Sequence, residues 1–300
     1  MGRVNLGFNI DDTAKSLETL LRAVEHEGGA RLSPMESSFP EDLTLDLSES
    51  QFIGPLGVAT LCLLRRLAER NGRTISLLKP EFPRTENYCA YSGLLKEFGV
   101  GSEPNIAHPR NVTRPVCWFR DSIPRLEIEA LVLLARTKMK LSVAGEIDLK
   151  LTLSEVERNV LDHAESPLGG LMSARAFDDK REVRFAVADG GIGFCRALKK
   201  RVDTADDHEA LRKVFDEKVS SRSRPHNMGQ GLQHLHTVVE ETHGRLIVYS
   251  GNAFIDWGEK DPRRFTLAKA VFPGTIIFVR LPIRDDDEDD LPIEGSFWDG

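Results

Sequence analysis

Cysteine is scarce in this sequence: four residues in 300 (Cys62, Cys89, Cys117, Cys195), widely separated and without a CxxC pair. That spacing argues against zinc frameworks and disulfide scaffolds, and reads as reduced, structural, intracellular thiols. Long apolar runs are also missing, since none approaches the roughly 20 residues needed to cross a bilayer. The opening MGRVNLGFNIDDTAK has no secretory apolar core or cleavage site, and Leu6 stands where N-myristoylation wants Ser or Thr. A cytoplasmic chain that makes no use of a membrane is expected. Internal repeats at solenoid periods are absent. So are the Walker A pattern GxxxxGK[ST] and, after the one strand that runs into glycines, the GxGxxG fingerprint, because Arg196 occupies its third glycine position. An excess of positive charge is lacking as well. The net charge is −7, but Asp285-Asp286-Asp287-Glu288-Asp289-Asp290 alone carries six of those negative charges, leaving a body near −1. A near-neutral body gives no electrostatic footprint for nucleic acid.

What remains is an ordinary globular composition, 40% hydrophobic and 29% charged, in a chain long enough for two cores. A strand over Val4–Ile10 and an amphipathic helix over Thr13–Glu27, closed by Gly28-Gly29, open the sequence. In LTLDLSESQFIGPLGVATLCLLRRLAERNGRTISLLKP, Leu43, Leu45 and Leu47 alternate as a strand. A helix follows from about Leu56 to Arg70, then a strand from Thr74 to Leu78. This is a βαβ unit with parallel strands. NYCAYSGLLKEFGV reads as one further helix. The proline-bearing stretch GSEPNIAHPRNVTRPVCWFR reads as a linker, and a helix over about Ile123–Leu141 begins a second unit. The acidic end, with Phe297 and Trp298, is expected to be a solvated, disordered tail.

The DLS strand, the following loop and the helix over residues 40 to 100 resemble a STAS domain, the fold of anti-sigma-factor antagonists. In that family the helix opens with DSSG, whose serine is phosphorylated. Here the matching loop is Ile53-Gly54-Pro55-Leu56-Gly57, with no hydroxyl at the acceptor position. Phosphorylation at that point is therefore not expected.

The second half holds four patterns. EVERNVLDHA places Glu155, Asn159 and His163 four residues apart, within about 80° of one helical face. VRFAVADGGIGF is a strand running into Asp189-Gly190-Gly191-Ile192-Gly193, where a carboxylate can accept from an exocyclic amine and glycines let backbone approach closely. NMGQGLQHLHTVVEETHG puts Gly229 and Gly231 ahead of a helix, a natural phosphate cradle, with Leu232 starting its apolar stripe. FPGTIIFVRLP is a strand opened by Gly274-Thr275. Each alone has a bland reading as a polar stripe, a turn, a helix junction or a buried strand. His234 and His236 stand two apart on a predicted helix, on different faces, which argues against a histidine metal site.

In this order the four patterns closely resemble the GHKL ATPase superfamily, which includes anti-sigma serine kinases, sensor histidine kinases, type II topoisomerases, mismatch-repair ATPases and the heat-shock chaperone ATPase. The resemblance covers about residues 125 to 283, and LIVYSG before the last strand fits it too. It implies ATP and Mg²⁺ as ligands. Asn159 would coordinate the Mg²⁺, and Glu155 would be the general base. Asp189, supported by Thr275, would hold the adenine amine. Gly191, Gly193, Gly229, Gly231 and Leu232 would surround the nucleotide. His163 stands either near the phosphates or in the packing. The segment 194–228 would be a lid, basic near its end at Lys218, Arg222, Arg224 and His226.

The expected fold class is therefore α/β: a STAS-like mixed sheet with helices over 1–105, a linker over 106–122, a GHKL two-layer α/β sandwich (Bergerat fold) over 123–283, and the tail over 284–300. A sensor histidine kinase is disfavoured, because LEIEALVLLARTKMKL before the module contains no histidine. Two classes stay open. One is an anti-sigma-type serine/threonine kinase or slow ATPase acting on a protein partner, as in a sigma-factor pathway. The other is a non-catalytic switch in which ATP binding reshapes a protein interface. Relatives pair through this module, so a homodimer is a further option, although no coiled-coil heptad marks one.

Overall fold

Two sheets organise the chain in the computed structural model, which describes residues 2–7, 9–33, 42–101, 113–139, 143–199, 203–215, 228–258 and 261–282. β1 (Gly2–Asn5), β2 (Leu43–Asp46) and β3 (Ile75–Leu78) lie side by side in that order, all parallel. The expected mixed sheet is thus corrected to a parallel one. Each strand is joined to the next by a helix, α1 (Ala14–Glu27) and then α2 (Pro55–Arg70), and such a crossover returns the chain in the same direction. Val4, Leu45 and Leu77 are in register and buried; Arg3, Thr44 and Ser76 form the alternate, outer row. Thr13 starts α1 by accepting from Ser16 N at 3.0 Å, the N-cap bond its position in the sequence predicts.

α3 (Pro83–Tyr91) and α4 (Leu94–Glu97) occupy the stretch expected to be one helix, with the break at Ser92-Gly93. The part of the expected linker that is described, from Thr113 on, begins with a strand. β4 (Thr113–Phe119) forms the edge of the second sheet, where Val116 and Trp118 pack on the core of the N-terminal elements and Phe119 on that of the C-terminal helices. Alternation is short there and interrupted by Pro115, so the strand left no clear sequence signal.

The second sheet is antiparallel, in the order β4-β5-β6-β8-β7, with β5 (Gly170–Phe177), β6 (Glu182–Asp189), β7 (Arg245–Gly258) and β8 (Asp261–Pro282). Its residues alternate between two cores. Val183, Phe185 and Val187 join one with α5 (Arg125–Met139), α6 (Val143–His163), α7 (Gly193–Lys199), α8 (Asp207–Val214) and α9 (Met228–Glu241). Ala186, Ala188, Ile247, Tyr249, Ile276 and Phe278 face the other way and share a core with α1, α2 and the parallel sheet. The result is four layers: parallel sheet, α1 with α2, antiparallel sheet, and the C-terminal helices.

α2 therefore has apolar neighbours on opposite sides. Every residue from Pro55 to Leu64 is buried, and the sequence PLGVATLCLL is accordingly apolar all round rather than striped. Each leucine so buried contributes about 1.5–3 kcal/mol, which ties the two sheets together. A buried ion pair crosses the same seam: Asp12 Oδ2 accepts from Arg184 of β6 at 3.0 Å, while Asp12 Oδ1 accepts from Leu56 N at the start of α2, also at 3.0 Å. Among the described residues no helix is long and apolar enough to cross a membrane.

β7 is sharply bent. Gly251 has φ 57°, its pairing with β8 shifts register there, and a Cβ at that position would fall 2.1 Å from Asp207 Oδ2. Glycine is the residue that reconciles this left-handed conformation with so close an approach.

Candidate functional site

The site is built where the C-terminal end of α6 meets the C-terminal end of β6. α6 is longer than the sequence pattern suggested, and its buried Leu149, Leu153, Val156 and Val160 hold it against the sheet. That leaves Asn159 half-buried at the lip of a pocket, with Glu155 one turn earlier. Asn159 Nδ2 donates to Glu155 O at 2.8 Å, which fixes the amide plane and leaves Oδ1 as the accepting or coordinating atom. Glu155 is 19% exposed, and its carboxylate stands 3.4 Å from Arg158. His163 is the last residue of α6.

β6 delivers Asp189, 2% exposed, at the pocket floor. Its Oδ1 accepts from Gly191 N at 2.8 Å, and the Thr275 backbone N–H also donates to it. Burial nevertheless dominates and pushes the carboxyl up to about 7 from its ordinary 3.8. The loop that follows is clamped to α6: Ile192 N donates to Ala164 O at 2.8 Å. A Cβ on Gly191 would lie 1.9 Å from that same carbonyl oxygen, so glycine is required for the two elements to meet. This contact brings Asn159 and Asp189 into the lining of one cavity.

Asn159, Asp189, Gly193 and Thr275 line that cavity together with Val160, Ala164, Val187, Phe194, Ala197 and Ile277. Four of the residues singled out in the sequence thus converge from positions up to 116 apart (Asn159 to Thr275). The open space is about 10 Å³, room for roughly one water molecule. Phe194 and Ala197 of α7 fill the remainder, so a purine would enter only with α7 displaced.

Ser250 is a member of this site that the sequence reading passed over. Its Oγ accepts from Phe194 N at 2.9 Å and lies 3.1 Å from Thr275 Oγ1 and 3.3 Å from Gly274 O. One hydroxyl therefore ties the start of α7 to the strand that supports Asp189. The Ser-Gly pair ending LIVYSG, at a strand bend, was the available signal.

Gly229 and Gly231 lie inside the first turn of α9 rather than before the helix. Gly229 is among the residues whose backbone N–H groups have no partner within a helix, so the change of boundary keeps a backbone donor for an anion there, whereas Gly231 stands one position further in. Leu232 is fully buried in the core between α9 and the sheet, a packing residue rather than a wall of the cavity. Lys218, Arg222, Arg224 and His226 lie outside the described residues, as does the acidic tail. His236 packs on Trp257, with ring centroids 4.0 Å apart. Among the described residues no group of three His, Cys, Asp or Glu side chains could hold a metal ion. The side-chain oxygens that line the pocket are those of Asn159, Asp189 and Thr275, so a cation held there would complete its coordination with a ligand's own oxygens.

A second, wider cleft of about 880 Å³ opens at the opposite end of β6. Arg184, Arg280 and Arg245 stand abreast there on β6, β8 and β7. Carboxylates of the same chain already hold them: Asp12 and Glu182 bind Arg184, Glu182 lies 3.5 Å from Arg280, and Asp256 binds Arg245. The smaller pocket, with its buried and strongly perturbed carboxyl, is the better candidate.

Fold and site together define a mixed α/β protein with a parallel three-stranded sheet, an antiparallel five-stranded sheet and a small, mostly apolar pocket with three polar side chains between a helix end and a strand end. Neither the family models nor the curated proteins with which the sequence was compared gave a match.

Proposed function

We propose that residues 123–283 form an ATP-binding module of the GHKL type, that the N-terminal unit is a STAS-like layer docked on its back, and that the chain acts in the cytoplasm on a protein partner. The observation that carries this reading is the convergence of Asn159, Asp189, Gly193 and Thr275 in one pocket. Asp189 accepts a hydrogen bond from the adenine amine, and Thr275 supports it. Asn159 Oδ1 ligates the Mg²⁺ that neutralises the nucleotide phosphates. The free first-turn N–H groups of α9, Gly229 among them, receive phosphate oxygens, and Gly231 lets the ligand approach closely. Glu155 takes the proton from the attacking hydroxyl of a protein substrate or from water.

A second reading, a nucleotide-dependent switch without phosphoryl transfer, draws on one specific feature. The segment Ile53-Gly54-Pro55-Leu56-Gly57 at the start of α2 carries no hydroxyl, and the Asp12 carboxylate already sits on Leu56 N there. A carboxyl group there takes the position that a switchable charge would hold.

Calorimetric titration with ATP and ADP, with and without Mg²⁺, followed by incubation with γ-labelled ATP, separates these readings. Label on protein supports a kinase, label released as free phosphate an ATPase, and binding without turnover the switch. Absence of binding by either nucleotide overturns the proposal.

A further inference from the structure

The arginines of the wide cleft belong to a longer row. Arg175 of β5, Arg184 of β6, Arg280 of β8 and Arg245 of β7 stand directly opposite one another from strand to strand. Residues so paired share a face of the sheet, and this is the face that turns Leu171, Ala186, Phe278 and Ile247 towards the N-terminal elements. Carboxylates of the same chain balance Arg184, Arg280 and Arg245. Arg175 is the exception. It is partly buried and forms no ion pair or hydrogen bond among the described residues.

The surroundings of Arg175 are aromatic and hydroxylic. Its Cζ lies 4.5 Å from the ring centroids of both Tyr88 and Phe177. A ring face steadies a guanidinium but offers no acceptor to the N–H groups along its edge. Thr113 is its cross-strand neighbour on β4, and Ser173 stands two residues before it on the same face. Tyr88 Oη, Thr113 Oγ1, Ser173 Oγ and Arg175 Nε are all buried without a hydrogen-bond partner. Buried polar groups are ordinarily paired, so four such atoms in one seam between α3, β4 and β5 mark a place that lacks an acceptor.

Positive charge accumulates at the same place. Arg84 stands exposed in the first turn of α3, and Lys180 Nζ lies 5.6 Å from the Phe177 ring. Burial, with the charge of Arg84 added, holds Arg175 below its ordinary range. The carboxylates nearby are spent or turned to solvent. Asp12 is engaged by Arg184 and Leu56 N, Glu182 by Arg184 and Arg280, and Glu86 by Lys79. Glu81 and Asp179 are exposed, and among the described residues neither pairs with Arg84, Arg175 or Lys180.

We propose that this seam binds a phosphate group, either inorganic phosphate or the phosphate of a small monoester, with Arg175 as its central donor. Solvent reaches Arg175, so the anion meets it first, and the hydroxyls of Tyr88, Thr113 and Ser173 donate to the remaining oxygens. Water would serve the hydroxyls but leave the guanidinium charge unbalanced, whereas an anion does both. Donors converging from a helix and two strands suit a tetrahedral oxyanion better than a planar carboxylate. The site lies at the far end of β5 from Gly170, the cross-strand partner of Asp189, and the proposal does not depend on nucleotide binding.

Calorimetric titration of the full chain with inorganic phosphate at fixed ionic strength is expected to give a dissociation constant of about 1 mM or tighter. The melting temperature should rise with phosphate and not with acetate. Tyr88→Phe keeps the ring against Arg175 and removes only the hydroxyl. Without phosphate it should melt no lower than the parent, and its dissociation constant for phosphate should be at least about tenfold higher. Arg175→Gln should abolish the binding. Glycerol 3-phosphate separates the two sources: tighter binding than phosphate supports an esterified ligand, and weaker binding supports the free ion. The proposal is overturned if the parent binds no phosphate, or binds acetate equally well. It is also overturned if Tyr88→Phe and Arg175→Gln bind phosphate as the parent does, which would put the anion elsewhere, as at the start of α9.

Discussion

Arg245 and Asp256 meet side chain to side chain at 2.8 Å although eleven residues of one strand separate them. A straight strand would hold them roughly 36 Å apart, so β7 turns back on itself between them. The turn is at Gly251. Gly251→Ala would force a side chain into a left-handed conformation and onto Asp207, whose carboxylate accepts from Asn252 N. We expect a loss of about 1–3 kcal/mol, measured as a lowered urea midpoint with an unchanged slope. A variant as stable as the parent would show that the bend is not held in this way.

The seam between the sheets makes a separate prediction. Asp12→Ala removes the acceptor of Leu56 N and one of the two carboxylates that hold Arg184, which is largely buried and keeps Glu182 and the face of Phe177. Breaking a buried pair in this way costs about 3 kcal/mol. Equilibrium unfolding should show that loss in one transition, since α2 belongs to both sheets. A variant within about 0.5 kcal/mol of the parent would mean that the pair contributes nothing to the seam.

Asp189 should set stability and binding against each other. Its carboxyl is raised from 3.8 to about 7, so between those values the folded state holds a proton that the unfolded state has lost. Its contribution to stability is full below pH 3.8 and falls away as pH rises to about 7. Asp189→Asn carries no charge to bury, so it should melt above the parent at pH 8 and close to it near pH 4. Nucleotide affinity should run the other way, because only the ionised carboxylate is a pure acceptor. The parent should bind ADP more tightly at pH 8 than at pH 6. The Asn variant should be at least about tenfold weaker at pH 8 and flat with pH. Undiminished ADP binding by that variant would remove Asp189 from the adenine site.

Glu155 and Asn159 share one helix face but differ in placement, since only Asn159 lines the pocket. Glu155→Ala should therefore leave ATP binding within about twofold and abolish label transfer or hydrolysis, a loss of at least about 10²-fold. Asn159→Ala should weaken binding in Mg²⁺ and have little effect in its absence. Activity that survives in Glu155→Ala would place the base elsewhere.

Much of this architecture could be read from residue patterns. The helix over 56–70, the strand into Asp189 and the helix after Gly229 have long, regular periodicities and clear ends, and all three are present within a few residues of expectation. Three of the four site motifs send a residue into the same pocket. Long-range geometry was not legible. β4 is interrupted by Pro115, and β5 is buried on both faces with no polar–apolar alternation, so neither shows a period-two pattern. Nor does any local pattern disclose that α7 would fill the pocket with Phe194 and Ala197, because that depends on where Ser250, 56 residues away from Phe194, places its hydroxyl.

The doubly covered α2 bears on how this chain can be taken apart. A fragment beginning at β4 would lay bare Leu171, Ala186, Ala188, Ile247, Tyr249 and Phe278, a continuous oily sheet face. A fragment ending before β4 would strip α1 and α2 of their roof. Neither piece is a portable cassette. A change transmitted through Leu67, against which Gly190 beside the Asp189 loop is packed, would reach the pocket at Asp189 without crossing a hinge.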